Sequence, residues 1–306
     1  MAKRGSHDYF RAVTGRMVVV GSANVDLVWH GERLPAPGET VTDGEFVQVL
    51  GGKGANQAAA AAALGAEVHF VGCVGDDAHG RMARADLEAR GVDCSELATT
   101  RDAPTGVAVI TVDARGENSI AVAPGANRLL GPEAAARVIR AGDVVLCSLE
   151  IPVETAEAAV AAALVCDATV IVNPAPPRSA CAGAILTPNE HECERLGGVD
   201  RLLAGAPAVF VTRGAAGAVL HRAGRAPLEQ AAFGVDAVDT TGAGDAFNGA
   251  LAWAIGAGEP LENALRLACA AGALSTRAVG ARSALPTADE VYALVDRPPG
   301  AGVLRP

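Results

Sequence analysis

The residues able to do chemistry gather most densely in the stretch Val238-Asp239-Thr240-Thr241-Gly242-Ala243-Gly244-Asp245-Ala246-Phe247-Asn248-Gly249. Gly242, Ala243 and Gly244 keep side-chain bulk away from the backbone, so its N–H groups can approach a ligand closely. Residues 245–255 carry Phe247, Leu251 and Ala254 at helical spacing, which predicts a helix with one apolar face. A helix start points unpaired N–H groups and the positive end of the macrodipole outward, which suits an anion. Asp245 falls inside that positive end, where its carboxylate stays charged and can take a proton from an incoming hydroxyl. Taken alone, the same residues read equally well as a structural helix start with an acid in its first turn.

A second small-residue segment, Gly51-Gly52-Lys53-Gly54-Ala55-Asn56-Gln57, opens an alanine-rich helix that runs to about Leu64. Its glycines let the backbone touch a ligand, and Lys53 and Asn56 can donate to one. It is not a P-loop: no glycine precedes Gly52 at the required spacing, and Gly54 stands where Ser or Thr is needed. A third group lies near the start of the chain. The β-branched run 17–21 reads as a buried strand, and Asn24 and Asp26 follow where the chain leaves it, the edge at which open α/β sheets bind ligands.

Strand signals recur at 68–74, 107–112, 120–122, 144–149, 169–172, 208–211 and 218–221. Helix-like stretches at 81–90, 132–141, 153–164, 261–278 and 288–296 alternate with most of them. That alternation predicts an α/β fold, a mostly parallel sheet with helices on both faces. The runs 107–112 and 120–122 flank the turn Asp113-Ala114-Arg115-Gly116 and read as a hairpin. With the Pro- and Gly-containing segment 27–50 they fall outside the alternation and are assigned to a small β-sheet lid, inserted from about 27–50 and 105–125. Residues 17–306 form a single domain in this reading, and the polar residues 1–16 a loose extension without the apolar core of a signal peptide.

Half of the residues are hydrophobic but only 3% aromatic, so the core is built from Ala, Val and Leu with helices lying close together. The formal net charge of −10 argues against a nucleic-acid-binding surface, and no apolar run is long and helical enough to span a membrane. Seven scattered cysteines without C-x-x-C spacing fit a reducing cytoplasm, and the histidines form no zinc-like cluster. A dinucleotide-binding dehydrogenase is excluded, since Gly-Ser-Ala-Asn follows the first strand and Gly242-x-Gly244-x-x-Phe247 lacks the third glycine.

Assembled in order, these pieces resemble the ribokinase family of carbohydrate kinases over nearly the whole chain, from Met17 to about Ala293. Residues 51–75 look like the family's first signature and 239–249 like its second. Between them stand similar segments: Pro35-Ala36-Pro37-Gly38-Glu39-Thr40, Pro104-Thr105-Gly106, Gly116-Glu117-Asn118, Pro124-Gly125-Ala126-Asn127, Asn173-Pro174-Ala175-Pro176 and Thr187-Pro188-Asn189-Glu190. The resemblance implies a three-layer αβα, Rossmann-like fold and an ATP-dependent kinase that phosphorylates the 5-hydroxyl of D-ribose. The alternatives are another sugar or a nucleoside (fructokinase-, deoxyribokinase- or adenosine-kinase-like), or an inactive member of the fold.

By the same resemblance, Asn24, Asp26, Gly52, Lys53, Asn56 and Glu150 would bind the sugar, whose hydroxyls carboxylates and amides can hold in pairs. Asn189, Thr212, Gly214, Gly217 and Gly244 would face ATP, and Glu192 would be linked to Mg²⁺. Gly242, Ala243 and Gly244 would form the anion hole, and Asp245 the general base. A monovalent cation, K⁺, would sit among Asp239, Thr241, Thr276, Val279 and Ala281. The small-molecule sugar is the implied partner, and a homodimer through the lid follows from the lid's exposed strand edges. The chain departs from the family pattern after Gly280-Ala281, where Arg282-Ser283-Ala284 replaces Gln-Pro-Ser. The cation is expected to bind; the rival outcome is that the Arg282 guanidinium enters the cation position in its place.

Overall fold

The computed structural model describes residues 15–178 and 181–297. In chain order its strands are β1 (Met17–Val20), β2 (Asn24–His30), β3 (Glu45–Gly51), β4 (Val68–Gly75), β5 (Leu97–Thr100), β6 (Gly106–Val112), β7 (Asn118–Ala123), β8 (Val144–Ser148), β9 (Thr169–Asn173), β10 (Ile185–Leu186), β11 (Val209–Thr212), β12 (Ala218–His221) and β13 (Leu228–Gln230). The helices are α1 (Lys53–Ala63), α2 (Ala78–Ala89), α3 (Pro132–Ala136), α4 (Val153–Val165), α5 (Glu190–Arg195), α6 (Val199–Leu203), α7 (Ala243–Gly256), α8 (Leu261–Leu274) and α9 (Ala288–Val295).

Nine strands form one sheet in the order β13-β12-β11-β10-β9-β8-β1-β4-β5. Neighbours are parallel except at β11–β12 and β12–β13. β1 has β4 on one side and β8 on the other, so the strand order reverses there, and a crevice opens outside the carboxyl ends of the strands. The β-branched and leucine side chains alternate between two buried clusters. Met17, Val19, Phe70, Leu146 and Phe210 face α1, α7 and α8, whereas Val18, Val20, Val145 and Cys147 face the α3–α4 side. The lid is a separate four-stranded sheet, β3-β2-β6-β7. The α/β layering and the small second sheet are those expected from the alternation of elements.

Several elements differ from expectation. α7 has no single apolar face: residues 245–254 are all buried, because the helix is packed between α1 and α8. A Cβ placed on Gly249 would stand 2.7 Å from the Gln57 carbonyl oxygen, so α1 and α7 meet nearly backbone to backbone, which explains the small residues in both. α8 stops at Leu274, where the Ser275 and Thr276 hydroxyls donate back to the carbonyls of Gly272 and Ala273 and compete with the helical ladder. α3 covers only the first turn of the expected stretch 132–141. The strands β5, β10 and β13 and the helices α5 and α6 are too short to leave a periodic signal. Residues 1–14 of the expected extension lie outside the described residues; Arg16 is anchored by an ion pair to Asp143 at 2.8 Å. All seven cysteines are free thiols, and among the described residues no helix is long and apolar enough to cross a membrane.

Candidate active site

The N-terminus of α7 is built on a left-handed turn. Gly242 has φ 77°, and a Cβ there would lie 2.5 Å from the Ala281 side chain, so only glycine fits between the two loops. A Cβ on Gly244 would meet no atom within 4 Å, so the helix start opens on a cradle suited to an anion, although the Ala243 amide donates to the Thr240 carbonyl at 3.2 Å. Asp245 stands at the third helical position and is buried. Its two carboxylate oxygens accept from Asn56 Nδ2 at 2.9 Å and Gln57 Nε2 at 3.0 Å. Burial pushes its pKa up, against the pull of the Lys53 ammonium and the two amides. A fixed carboxylate with a raised pKa is a stronger base than an exposed one.

Across the crevice stand the other acids. The chain leaves β1 at Val20, and Asn24 and Asp26 lie on β2 rather than in the turn after the first strand. The lid therefore carries both residues over the crevice. Asn24 Oδ1 accepts from Asn127 Nδ2 at 2.8 Å, and Asn127 Oδ1 accepts from the Ala23 amide. Glu150 follows β8 and ties the loop after β1 to the start of α1. Its Oε2 accepts from Ser22 Oγ at 2.5 Å and from the Lys53 amide at 3.1 Å. Gly52 precedes α1 at φ 88°, where a Cβ would meet the Asn24 amide nitrogen at 2.7 Å. Burial first, and then the neighbouring Glu150 charge, raises the Asp26 pKa to about 6. Asn24, Asp26, Gly52, Lys53, Asn56, Glu150 and Asp245 thus converge from β2, α1, β8 and α7.

Asn189 and Glu192 form a reciprocal capping box on α5, each side chain accepting from the other's backbone amide at 2.8 Å. Burial raises the Glu192 carboxyl above its ordinary value, against the Asn189 amide and the Lys53 ammonium. The Thr212 amide donates to the Pro188 carbonyl at 3.0 Å, joining the end of β11 to the same loop, and Gly214 and Gly217 shape the turn into β12. Both oxygens of Asp239 are held by amides, Oδ1 by Thr241 at 2.9 Å and Oδ2 by Gly280 at 2.8 Å. Although burial alone would raise it, these amides hold the Asp239 carboxyl below its ordinary value. Thr276 offers its carbonyl to the Val238 and Asp239 amides. The Val279 residue is 67% exposed, whereas Ala281 is buried. Asp239 and the carbonyls of these two loops supply only oxygen donors, a set suited to a hard monovalent cation.

Arg282 does not enter that position. Its guanidinium donates to Asn56, Asp86 and Gly51, none of them a residue of the cation loops, so the structure speaks against the rival outcome raised by the altered sequence. The sequence reading also passed over Gln57 and Asn127. Gln57 could have been noticed as a long polar side chain inside an alanine helix; its second contact is Asn173 Oδ1 at 3.2 Å. No group of three or more His, Cys, Asp or Glu side chains assembles as a metal cluster among the described residues.

An amide cradle at a helix start, a buried carboxylate beside it and a facing set of acids and amides define a phosphotransferase that acts on a polyol hydroxyl. The chain belongs to the pfkB family of carbohydrate kinases, whose model matches residues 14–288. It is 42% identical over 289 residues to the ribokinase of Bacillus subtilis (strain 168), covering 90% of this chain and 98% of that one. Among solved structures it resembles Arabidopsis thaliana ribokinase complexed with ribose and ATP, with TM-score 0.80 and 32% identity, covering 93% of this chain and 99% of that one. The ribokinase of Thermotoga maritima matches with TM-score 0.82 and 34% identity, covering 92% and 99%.

Proposed function

We propose that this chain transfers the γ-phosphoryl group of ATP to the 5-hydroxyl of D-ribose, giving D-ribose 5-phosphate and ADP. The observation that carries the reading is Asp245, a buried carboxylate held by Asn56 and Gln57 directly beside the amide cradle of α7. The sugar lies among Asn24, Asp26, Gly52, Lys53, Asn56 and Glu150. Asp245 takes the proton of the 5-hydroxyl as its oxygen bonds to the γ-phosphorus, and the bond from that phosphorus to the β–γ bridging oxygen breaks. The amides of Gly242 and Gly244 face the charge that spreads over the transferring oxygens, and the Ala243 amide joins them by leaving its bond to the Thr240 carbonyl. Asn189, Thr212, Gly214 and Gly217 shape the nucleotide side. Glu192 would be the residue linked to Mg²⁺, which when bound would supply positive charge against that of the phosphates. K⁺ would be held by Asp239 and the carbonyls of Thr241, Val279 and Ala281, with the Thr276 carbonyl beside them occupied by the Val238 and Asp239 amides, and would stiffen the loop before the cradle.

The lid is read as the contact between two copies of the chain, and the cytoplasm as the compartment, in keeping with the free thiols. The test is ADP release in a coupled assay over ribose, 2-deoxyribose, fructose and adenosine. Ribose should give the highest kcat/KM. Preference for fructose or adenosine by tenfold or more would replace ribose as the substrate, and no ADP release with any of them would overturn the kinase reading.

A further inference from the structure

Arg282 has no part in the mechanism above, yet it is 7% exposed and reaches three separate elements. Its Nε donates to Asn56 Oδ1 at 2.8 Å, one terminal nitrogen to Asp86 Oδ2 of α2 at 2.7 Å, and the other to the Gly51 carbonyl at the end of β3 at 2.8 Å. A guanidinium stays charged in a protein, and a buried charge needs compensation. Asp86 supplies it only in part, because its Oδ1 also accepts from Arg90 Nε at 3.0 Å. Two arginines share one carboxylate. On the other side of Asn56 and Gly51 the balance is reversed: Asp26, Glu150 and Asp245 act together with one ammonium, Lys53.

Two consequences follow from this geometry. Arg282 has donors only, so Asn56 must present its oxygen to it, and the Asn56 NH₂ group is left facing Asp245. With Arg282 gone, the acceptor-only Asp245 carboxylate alone would hold that orientation, and the Asn56 oxygen would lose its partner. The second contact leads to the lid: a Cβ on Gly51 would lie 2.2 Å from Asp26 Oδ2, so Asp26 stands against the residue whose carbonyl Arg282 holds. We propose, building on the functional reading above, that Arg282 is a positioning residue. It locks the Asn56 amide onto Asp245 and places a fixed positive charge behind the sugar-facing acids of the lid and α7.

The charges bearing on these acids agree. Asp26 is pushed up by burial, by Glu150 and by Asp245, and pulled down by Arg282 and Lys53. Burial lowers the Arg282 value, whereas Asp86 and Asp245 raise it. Lys53 in turn faces Glu192 as well as the three acids.

The experiment follows aspartate carboxyl carbons by ¹³C NMR in the ligand-free protein, with Asp26 assigned from Asp26→Asn, in the wild type, Arg282→Gln and Arg282→Lys. The Asp26 midpoint should rise by roughly one pH unit in Arg282→Gln, the low end of what a nearby opposite charge contributes, and return in Arg282→Lys. Turnover gives the second readout. Arg282→Gln should lose about threefold more kcat/KM at pH 6.5 than at pH 8.5, the change in ionised Asp26 that a one-unit rise from about 6 produces. Arg282→Lys should keep the wild-type pH profile at lower kcat, since one ammonium lacks the planar fork. If Arg282→Gln does not fold, Arg282→Lys carries the test alone. An unshifted midpoint in Arg282→Gln, or wild-type kcat in Arg282→Lys, overturns the proposal. The titration uses no substrate, so wild-type protein that phosphorylates no sugar would defeat the functional reading while leaving this result legible.

Discussion

Asp245 combines burial, which raises its pKa, with two amide donors that fix both of its oxygens. Asp245→Asn removes the base while keeping the shape, so kcat should fall by roughly 10²–10⁴. Nucleotide affinity measured by calorimetry should change little, and near-normal turnover would remove Asp245 from its role. Asp26 works under the opposite constraint, because its ionised form is needed by the sugar but disfavoured by the empty fold. Its folded pKa of about 6 lies above the ordinary 3.8. Between those values the unfolded chain has released a proton that the folded chain still holds. Stability therefore falls as pH rises through that window, by about 3 kcal/mol, and stays level above it. Asp26→Asn should raise the ligand-free Tm at pH 7 while weakening sugar binding by about 1.5–3 kcal/mol, the loss of a charged hydrogen bond. Sugar affinity of the wild type should increase from pH 5 to 7. A Tm unchanged in Asp26→Asn, or equal losses for sugar and ATP, would remove Asp26 from the sugar pocket.

At the scale of elements, the two helix starts were legible because small residues beside a polar residue have few other uses. Lys53–Ala63 and Ala243–Gly256 begin within two residues of where the sequence put them. The placement of Asn24 and Asp26 was not legible, since three residues separate β1 from β2 and nothing local says that the chain has already changed sheets. Nor was Arg282, whose partner Asn56 is 226 positions away and is found only by folding. The structure removes the guanidinium as a rival at the cation loops and leaves Asp239 and Thr241 immediately before the cradle. Exchanging a large non-binding cation for K⁺ at constant ionic strength should raise kcat at least about tenfold, part of the 10²–10³ that one oxyanion donor is worth. The response should survive in Arg282→Gln, because that side chain is held by Asn56, Asp86 and Gly51 rather than by the cation loops. A flat profile in the wild type would remove the cation from these loops.

For the whole molecule, the lid raises a question that a single copy of the chain does not answer. Pairing places Val47, Val28, Ile110 and Ile120 in one row across all four strands, with Val49, Asp26, Ala108 and Val122 in the next. The face that brings Asp26 to the pocket is therefore β-branched and apolar beyond it, and Val47, Ile120 and Val122 are 45%, 57% and 52% exposed. Exposed apolar faces of this kind mark association surfaces, and a twisted sheet with the same row in each copy can meet itself across a two-fold axis. A second lid laid there would cover the apolar row beside Asp26, and assembly would then be tied to sugar binding rather than to nucleotide binding. Ile120→Glu would place a charge without a partner in that contact. It should convert a dimer to a monomer by light scattering and raise the sugar KM by roughly tenfold, equivalent to about 1.4 kcal/mol, while the ATP KM stays within about twofold. A wild-type protein that is monomeric at assay concentration, or an Ile120→Glu monomer with unchanged sugar KM, would separate the lid's apolar face from the pocket it borders.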